Sequence, residues 1–397
     1  MTSDATAQIS RPALLADLPL GQRLITGFDV WHVALPVVSR RDHGIGAVAD
    51  QIEIVILRLE SSCGAVGWGE AAPWSVFTGS PEASFAALDR YIRPHIEGQS
   101  LDTVGTLCAR AQASIAHATE AKAALESALL DLVGQISGLR VADLLGGVVR
   151  DRIPLSVSLA NPDFAQDLAL TERLLDDGIT IVKLKAGFAE HSFDLQRLEA
   201  LRTRFPQLDI RVDFNQGLPP ADAPARVADV AAFVPTFVEQ PVRADLFELM
   251  ARIRAQSNVP ILADESVFSP ADMTRAMAGG ICDGVSIKVM KTGSLRHGQT
   301  IAAMAEAAGL SGYGGDMFET GLGHTAGVHM IAASPNITLG CEFYQARYYL
   351  TQDLLTDPFA IDNGDVILPQ GPGLGVTVNQ ELIAHYAKAH SAKTPTP

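Results

Sequence analysis

The sequence predicts an α/β protein: a TIM-like β/α barrel preceded by an α+β cap. Three observations carry this reading. From about residue 152, short apolar runs rich in Val, Ile, Leu or Phe alternate with helix-period segments, giving roughly eight strand candidates. Three of those runs close on an acid, Asp213, Glu239 and Asp264, at steps of 26 and 25 residues. A step of that size fits one strand, one helix and two short loops. The stretch before residue 148 has another texture, with strands first and helices after.

The elements follow in order. Residues 1–24 read as a tail and 25–147 as the cap. There FDVWHVALPV and QIEIVILRLES are strands, and the second pairs with GAVGWGEAAPW across a turn at Ser61–Gly64. EASFAALDRYIRPHI and TEAKAALESALLDLVGQISG have helical pattern. The latter takes Thr119 as its N-cap and stops at a glycine. Residues 148–345 read as the barrel. Its strand candidates are PLSVSLA, TIVKLKAG, DIRVDFNQG, FVEQP, VPILADES, GVSIKVMKTG, LSGYGGDMFET and ITLGCEF. Helices are expected after the first three, ending near Asp177, Arg204 and Phe233. No GxGxxG or GxxxxGK[ST] follows a strand, so nucleotide binding has no support. Residues 346–397 hold a Pro/Gly-rich turn region and one short helix, and SAKTPTP is expected to be disordered.

Composition bounds the partners. The chain has 397 residues, 47% apolar and 19% charged, enough for a sizeable core and two domains. Its net charge of −15 argues against a nucleic-acid backbone or an anionic membrane as partner. An anionic small substrate is still compatible, because lysines and a metal can dominate the field locally. Cys63, Cys108, Cys282 and Cys341 form no CxxC pair and read as small buried hydrophobes in a reducing compartment. The N-terminus carries no signal-peptide pattern, and no run reaches the roughly 18 apolar residues of a membrane span, so a cytoplasmic protein is expected.

Acids at the ends of three consecutive parallel strands converge on one rim of a barrel, making a hard-oxygen site for a divalent cation. One such acid alone reads as a helix cap; three in series beside lysine-bearing strands favour metal ligation. In TIVKLKAG, Lys183 and Lys185 share one face of an apolar strand. A pair on an edge strand would be a solubility device, but a barrel strand has no free edge, so these lysines face the lumen. Near a cation, buried lysines lose proton affinity and suit base work. Lys288 is placed in the lumen by the alternation of GVSIKVMKTG, while Lys291 reads as a rim or loop cation. Asn215 shares the face of Asp213, and Glu265, next to Asp264, is expected to bond a lysine from outside the ligand set. Such a site can hold a substrate carboxylate while a lysine moves a proton at the α-carbon through a metal-stabilised enolate.

Taken together, KLKAG, RVDFNQG, VEQP, ADES, SIKVMKTG and YGGDMFE resemble the enolase superfamily, in its muconate-lactonizing (muconate cycloisomerase) subgroup of the mandelate racemase/muconate lactonizing enzyme family. The likeness runs from Leu35–Pro36 through GWGEA, ESALLDL and the LLGG at 144–147 to the PGLG at 372–375. It implies a (β/α)7β barrel, a cap completed by the C-terminal segment, and homo-oligomers. It implies Mg²⁺ or Mn²⁺ on Asp213, Glu239 and Asp264, Lys185 as acid/base with Lys183 supporting it, and Lys288 on the opposite face. A Lys or His base with Mg²⁺ is the known pattern of enolase-superfamily sites. Glu319 matches an acidic position after a late strand, and Glu342 falls among the substrate-side residues.

The departures fall on the substrate side. Asp316 stands where muconate cycloisomerases carry a small neutral or hydroxyl residue, and FYQA follows Glu342 in place of an LFGP type. Asp316 could face the lumen and meet a cationic nitrogen, or it could cap a helix. Arg40, Arg41 and His43 lie in a loop expected to be solvated. The expected activity is a muconate-type cycloisomerase; a racemase or epimerase of an amino-acid, dipeptide or proline derivative is the alternative, and a non-catalytic binding barrel the third.

Overall fold

The computed structural model describes residue 20 and residues 23–391. Most of the expected N-terminal tail, and the expected disordered ending beyond Ser391, lie outside the described residues. The cap opens with β1 (Ile25–Pro36), a small hairpin of β2 (Arg41–His43) and β3 (Gly46–Val48), then β4 (Gln51–Ser61) and β5 (Val66–Ala71). β1, β4 and β5 pair antiparallel in that order, and the turn between β4 and β5 falls where the sequence places it. Helices α1 (Val104–Ser114) and α2 (Thr119–Ser137) follow. α2 lies directly on β5. A Cβ on Gly69 would stand 1.9 Å from the Ala124 carbonyl oxygen, and one on Gly67 would stand 2.2 Å from that of Ala128. Only glycine at these alternate positions of the strand allows so close an approach.

Thr119 is the first helical residue rather than the cap. The chain enters α2 through His117 and Ala118, both at positive φ, and Thr119 Oγ1 turns to Glu120. Two cysteines also depart from expectation. Cys282 and Cys341 are buried, but Cys63 is exposed in the β4–β5 turn and Cys108 is half-buried.

The barrel is built from β6 (Ser156–Leu159), β7 (Ile181–Lys185), β8 (Asp209–Asp213), β9 (Val238–Glu239), β10 (Ile261–Ala263), β11 (Gly284–Ile287), β12 (Ser311–Gly314) and β13 (Ile337–Cys341). Each pairs parallel with its neighbour in sequence order. A parallel bridge from Leu155 to Cys341 brings the first strand beside the last. Alternation sorts the side chains: Val182, Leu184, Ile210, Val212, Val285 and Ile287 join the core against the helices. On the inner face, Phe237, Leu262 and Tyr313 form a separate buried plug below the mouth. Arg211 lies over the Phe237 and Tyr313 rings, at 5.2 and 4.8 Å.

The helices that matter below are α3 (His191–Arg204), α4 (Val289–Thr292), α5 (Leu295–Ala307) and α6 (Gly321–Ala332). After the expected C-terminal helix, α7 (Gln380–Tyr386), comes a strand the sequence does not announce, β14 (Ala387–Ser391), which pairs antiparallel with the outer edge of β1. AKAHS alternates only alanine with Lys and His and has no β-branched or large apolar residue; the waiting edge of β1 supplies the strand conformation. No helix among the described residues is long and apolar enough to cross a membrane.

Candidate active site

Strand register puts the first charged residues in a row. Lys185 pairs with Asp213, and Asp213 with Glu239, across β7, β8 and β9. Asp264 follows the end of β10 by one residue. All three acids are fully buried, and each offers an oxygen within 4.8 Å of the others. Glu239 Oε1 is buried with no hydrogen-bond partner among the described residues. Three converging carboxylates, one with an unclaimed oxygen, fit a hard divalent cation such as Mg²⁺ or Mn²⁺.

The turns after the strands are shaped to aim these acids. Asn215 and Gln216 have positive φ, and the Asn215 backbone N–H donates to Asp213 Oδ1 at 2.8 Å. Gln240, also at positive φ, accepts the Asp264 and Ser266 N–H groups on its side-chain oxygen. That brace fixes the backbone at Asp264 from the neighbouring strand end.

Lysines surround the acids. Lys183 Nζ donates to Glu239 at 3.0 Å and to Glu342 at 2.6 Å, and lies 3.4 Å from Asp213. Lys185 Nζ donates to Asp213 Oδ2 at 2.7 Å and to Asn215 Oδ1 at 3.2 Å. Lys288, the residue before α4, places Nζ 2.7 Å from Asp264 Oδ2. Lys291 is not the rim cation its position suggests. α4 turns it inward, fully buried, to Asp264 Oδ1 and to the carbonyls of Asp264 and Ser286.

The electrostatics follow from this crowding. Burial, reinforced by Asp213 and Asp264 and opposed by Lys183, pushes Glu239 up to about 7. Burial works against charge on Asp264 too, yet Lys288 and Lys291 hold it below the usual carboxylate range. Burial opposes the charge on Lys183 and Lys288, but facing carboxylates raise both; burial wins at Lys291, which is lowered. Glu265 does not bond a lysine as expected. The Asn215 amide donates to its Oε1 at 3.2 Å, and burial together with Asp264 pushes it up to about 8.

The other side of the mouth is assembled from late-strand loops and the cap. Glu342, after β13, accepts from Ser158 Oγ and Lys183 Nζ, both at 2.6 Å; burial resists its charge, but Lys183 leads in bringing it down to about 2. Asp316 is not a helix cap, since Thr320 caps α6. It borders the pocket, and its two oxygens are taken by the Gln345 amide at 2.7 and 2.8 Å and by His324 Nε2 at 2.9 Å. Glu319 is buried, accepts the Met317 N–H at 2.6 Å, and lies outside the pocket lining. Glu70, from the cap strand β5, accepts the Thr320 and Gly323 N–H groups at the start of α6.

The loop expected to be solvated is only partly so. Arg40 faces out and pairs with Asp42. Arg41 and His43 are buried in the pocket wall, because the hairpin is pressed onto the barrel: a Cβ on Gly44 would lie 2.0 Å from the Phe214 carbonyl oxygen. Arg41 donates to the Ser158 carbonyl at 3.0 Å and lies over Tyr349, while its Nε has no partner among the described residues. Burial first, then Lys185 and Arg41, keep His43 well below its usual range and therefore neutral. Trp74, Phe77 and Phe318 complete a narrow pocket whose floor carries Lys185, Lys288 and Asn215. The sequence does not single out Trp74, Phe77 or Gln240. Gln345 lies in the FYQA stretch that departs on the substrate side, Phe318 lies two places after Asp316, and Ser158 leaves a signal as a polar residue on the lumenal alternation of β6.

Comparison with known proteins agrees with this architecture. Residues 166–382 match the family described as enolase C-terminal domain-like, and residues 30–146 match the mandelate racemase/muconate lactonizing enzyme N-terminal domain. The chain is 30% identical over 361 residues to muconate cycloisomerase 1-1 of Acinetobacter lwoffii, covering 90% of this chain and 94% of that one. It is 34% identical over 331 residues to the L-Ala-D/L-Glu epimerase of Bacillus subtilis (strain 168), covering 82% and 89%. A crystal structure of a muconate cycloisomerase from Azorhizobium caulinodans superposes with a TM-score of 0.80 at 43% identity, over 92% of this chain and 99% of that one.

Proposed function

The chain belongs to the mandelate racemase/muconate lactonizing enzyme family of the enolase superfamily, and from that premise we propose that it is a divalent-metal-dependent isomerase of the muconate cycloisomerase type. The observation that carries this is the pairing of Lys185 and Lys288 in one pocket, each 2.7 Å from a different acid of the triad. Asp213, Glu239 and Asp264 would hold the cation and with it a substrate carboxylate, in a pocket that Lys185 and Lys288 both line.

The bound Mg²⁺ or Mn²⁺ supplies positive charge where the substrate carboxylate gains electrons. Lys183, locked between Glu239 and Glu342, adds fixed charge on the same side. In lactone formation, an oxygen of the distal carboxylate bonds to the alkene carbon, the electron pair shifts to the α-carbon, and Lys185 gives that carbon its proton. The reverse reaction returns the proton to Lys185. Arg41 favours a dicarboxylate: it is a buried cation on the pocket wall with an unclaimed Nε–H, suited to the distal carboxylate. Trp74, Phe77 and Phe318 flank a planar unsaturated body and exclude water.

The racemase or epimerase reading is supported by the two lysines that line one pocket and by the 34% identity to an L-Ala-D/L-Glu epimerase. Asp316 supports it less than its charge suggests, because a substrate ammonium would compete with Gln345 and His324 for both oxygens. ¹H NMR in D₂O with Mg²⁺ or Mn²⁺ tests both, using cis,cis-muconate, N-acyl amino acids, dipeptides and proline betaines. Lactone from muconate is the expected result. α-Proton exchange on an amino-acid derivative without lactone would replace it with the epimerase reading. Inertness toward the whole panel would sink both.

A further inference from the structure

A cavity of about 580 Å³ lies away from the barrel mouth, where α1 and α2 of the cap meet the start of α5. Its wall is mostly apolar, formed by the alanines of α1 with Cys108 and Leu125. Lys122 is the anomaly in it. Only 7% of this residue is exposed, yet no carboxylate among the described residues pairs with its ammonium, and burial lowers its proton affinity. Its stem is buried, and the ammonium it carries to the cavity has no counter-charge among the described residues.

The rest of the polar lining favours negative charge at the same end. Arg296 is the second cation. Glu126 is the one acid on the wall, and it is engaged: its Oε2 accepts the Leu295 N–H at 2.5 Å and its Oε1 lies 3.8 Å from Arg296 Nε. α5, a helix of 13 residues capped by Ser294, begins at the cavity and adds the positive end of its dipole. Two cations against one occupied acid leave a net positive site behind an apolar wall.

We infer that this cavity binds a small monocarboxylate with an apolar body, its carboxylate between Lys122 and Arg296 and its body against Cys108, Leu125 and the α1 alanines. The probe is 4-fluorobenzoate, titrated by ¹⁹F NMR into the Mg²⁺-loaded full chain. Lys122→Met keeps most of the stem and removes the unpaired charge; Cys108→Phe fills the cavity from the opposite wall. Each variant is expected to weaken binding by about tenfold or more, the scale of losing a charge-assisted contact or the space for the ring. Fluorobenzene, which lacks the carboxylate, is expected to bind more weakly than 4-fluorobenzoate. Absence of saturable binding, or wild-type affinity in either folded variant, would overturn the assignment. Because both residues lie outside the barrel mouth, binding of the probe at the metal site would survive both substitutions and so be recognised.

Discussion

On the β7–β11 side of the barrel mouth, the charged groups come from strand ends or the residues just after them. Lys183, Lys185, Asp213, Glu239, Asp264 and Lys288 are fixed by ladder register and bond mainly to one another. On the other side, the pocket is made of loops and cap: Arg41 and His43 from a hairpin, Trp74 and Phe77 from the segment after β5, Asp316 and Phe318 after β12, Gln345 after β13. Under the proposed function, the first side supplies the groups that move a proton next to a bound carboxylate. The second is contingent, and it decides which carboxylate that is. On that proposal, chemistry is tied to the sheet and specificity to the loops and the cap.

Substitutions can break or sharpen that contrast. The largest effect is expected from Lys185→Ala, which should lower turnover by about 10³- to 10⁴-fold, the range for removing a general acid or base, while the far-UV CD spectrum and metal binding persist. Near-normal proton exchange by NMR would remove Lys185 from the chemistry. Asp264→Asn is expected next, weakening the Mg²⁺ titration midpoint by at least about 10²-fold, more than an outer-shell partner would cost. It also strips the shared partner from Lys288 and Lys291, so a fall in stability of about 3–5 kcal/mol should accompany it. An unchanged titration would exclude Asp264 as a ligand.

On the contingent side, Arg41→Met should cut kcat/KM for a dicarboxylate by about 10²-fold, mostly through KM, with little effect on a monocarboxylate. Equal losses on both substrates would mean that Arg41 only holds the hairpin down. The smallest effect lies outside the mouth. His329 on α6 accepts the Ala142 N–H of the cap and donates to the Leu374 carbonyl, and burial lowers it from 6.5 to about 4. Being neutral when folded, it gives its full stability above pH 6.5 and loses it as pH falls through about 4. His329→Gln should flatten that part of the urea-unfolding profile by on the order of 2 kcal/mol; an unchanged slope would assign the acid sensitivity elsewhere.

The legibility of the two sides in the sequence differs for the same reason. A period of two and a repeat near 25 residues are local signals, so the barrel, the acid series and the inward lysines could be read from the text. Lys291 reads as a rim or loop cation because it lies past the strand, and the four-residue helix after β11 that turns it inward is too short to leave a periodic signal. The buried setting of Arg41 and the Glu70 brace on α6 depend on partners 117 and 250 residues away, and the Gln345 clasp on Asp316 joins two different strand-end loops 29 residues apart. No local pattern encodes those meetings. Nor did AKAHS look like a strand, because its partner, not its composition, makes it one.

That last pairing joins distant parts of the chain. Val30 meets Ser391, so the outer strand of the cap sheet comes from a segment 361 residues (391−30) further along. At equilibrium the long separation costs little, because loop-closure entropy grows only with the logarithm of length. Kinetically it matters more: until β14 docks, the outer edge of β1 has no strand to pair its backbone groups. The five residues of β14 therefore act as a seal on an edge that would otherwise be open to strand pairing with a second chain.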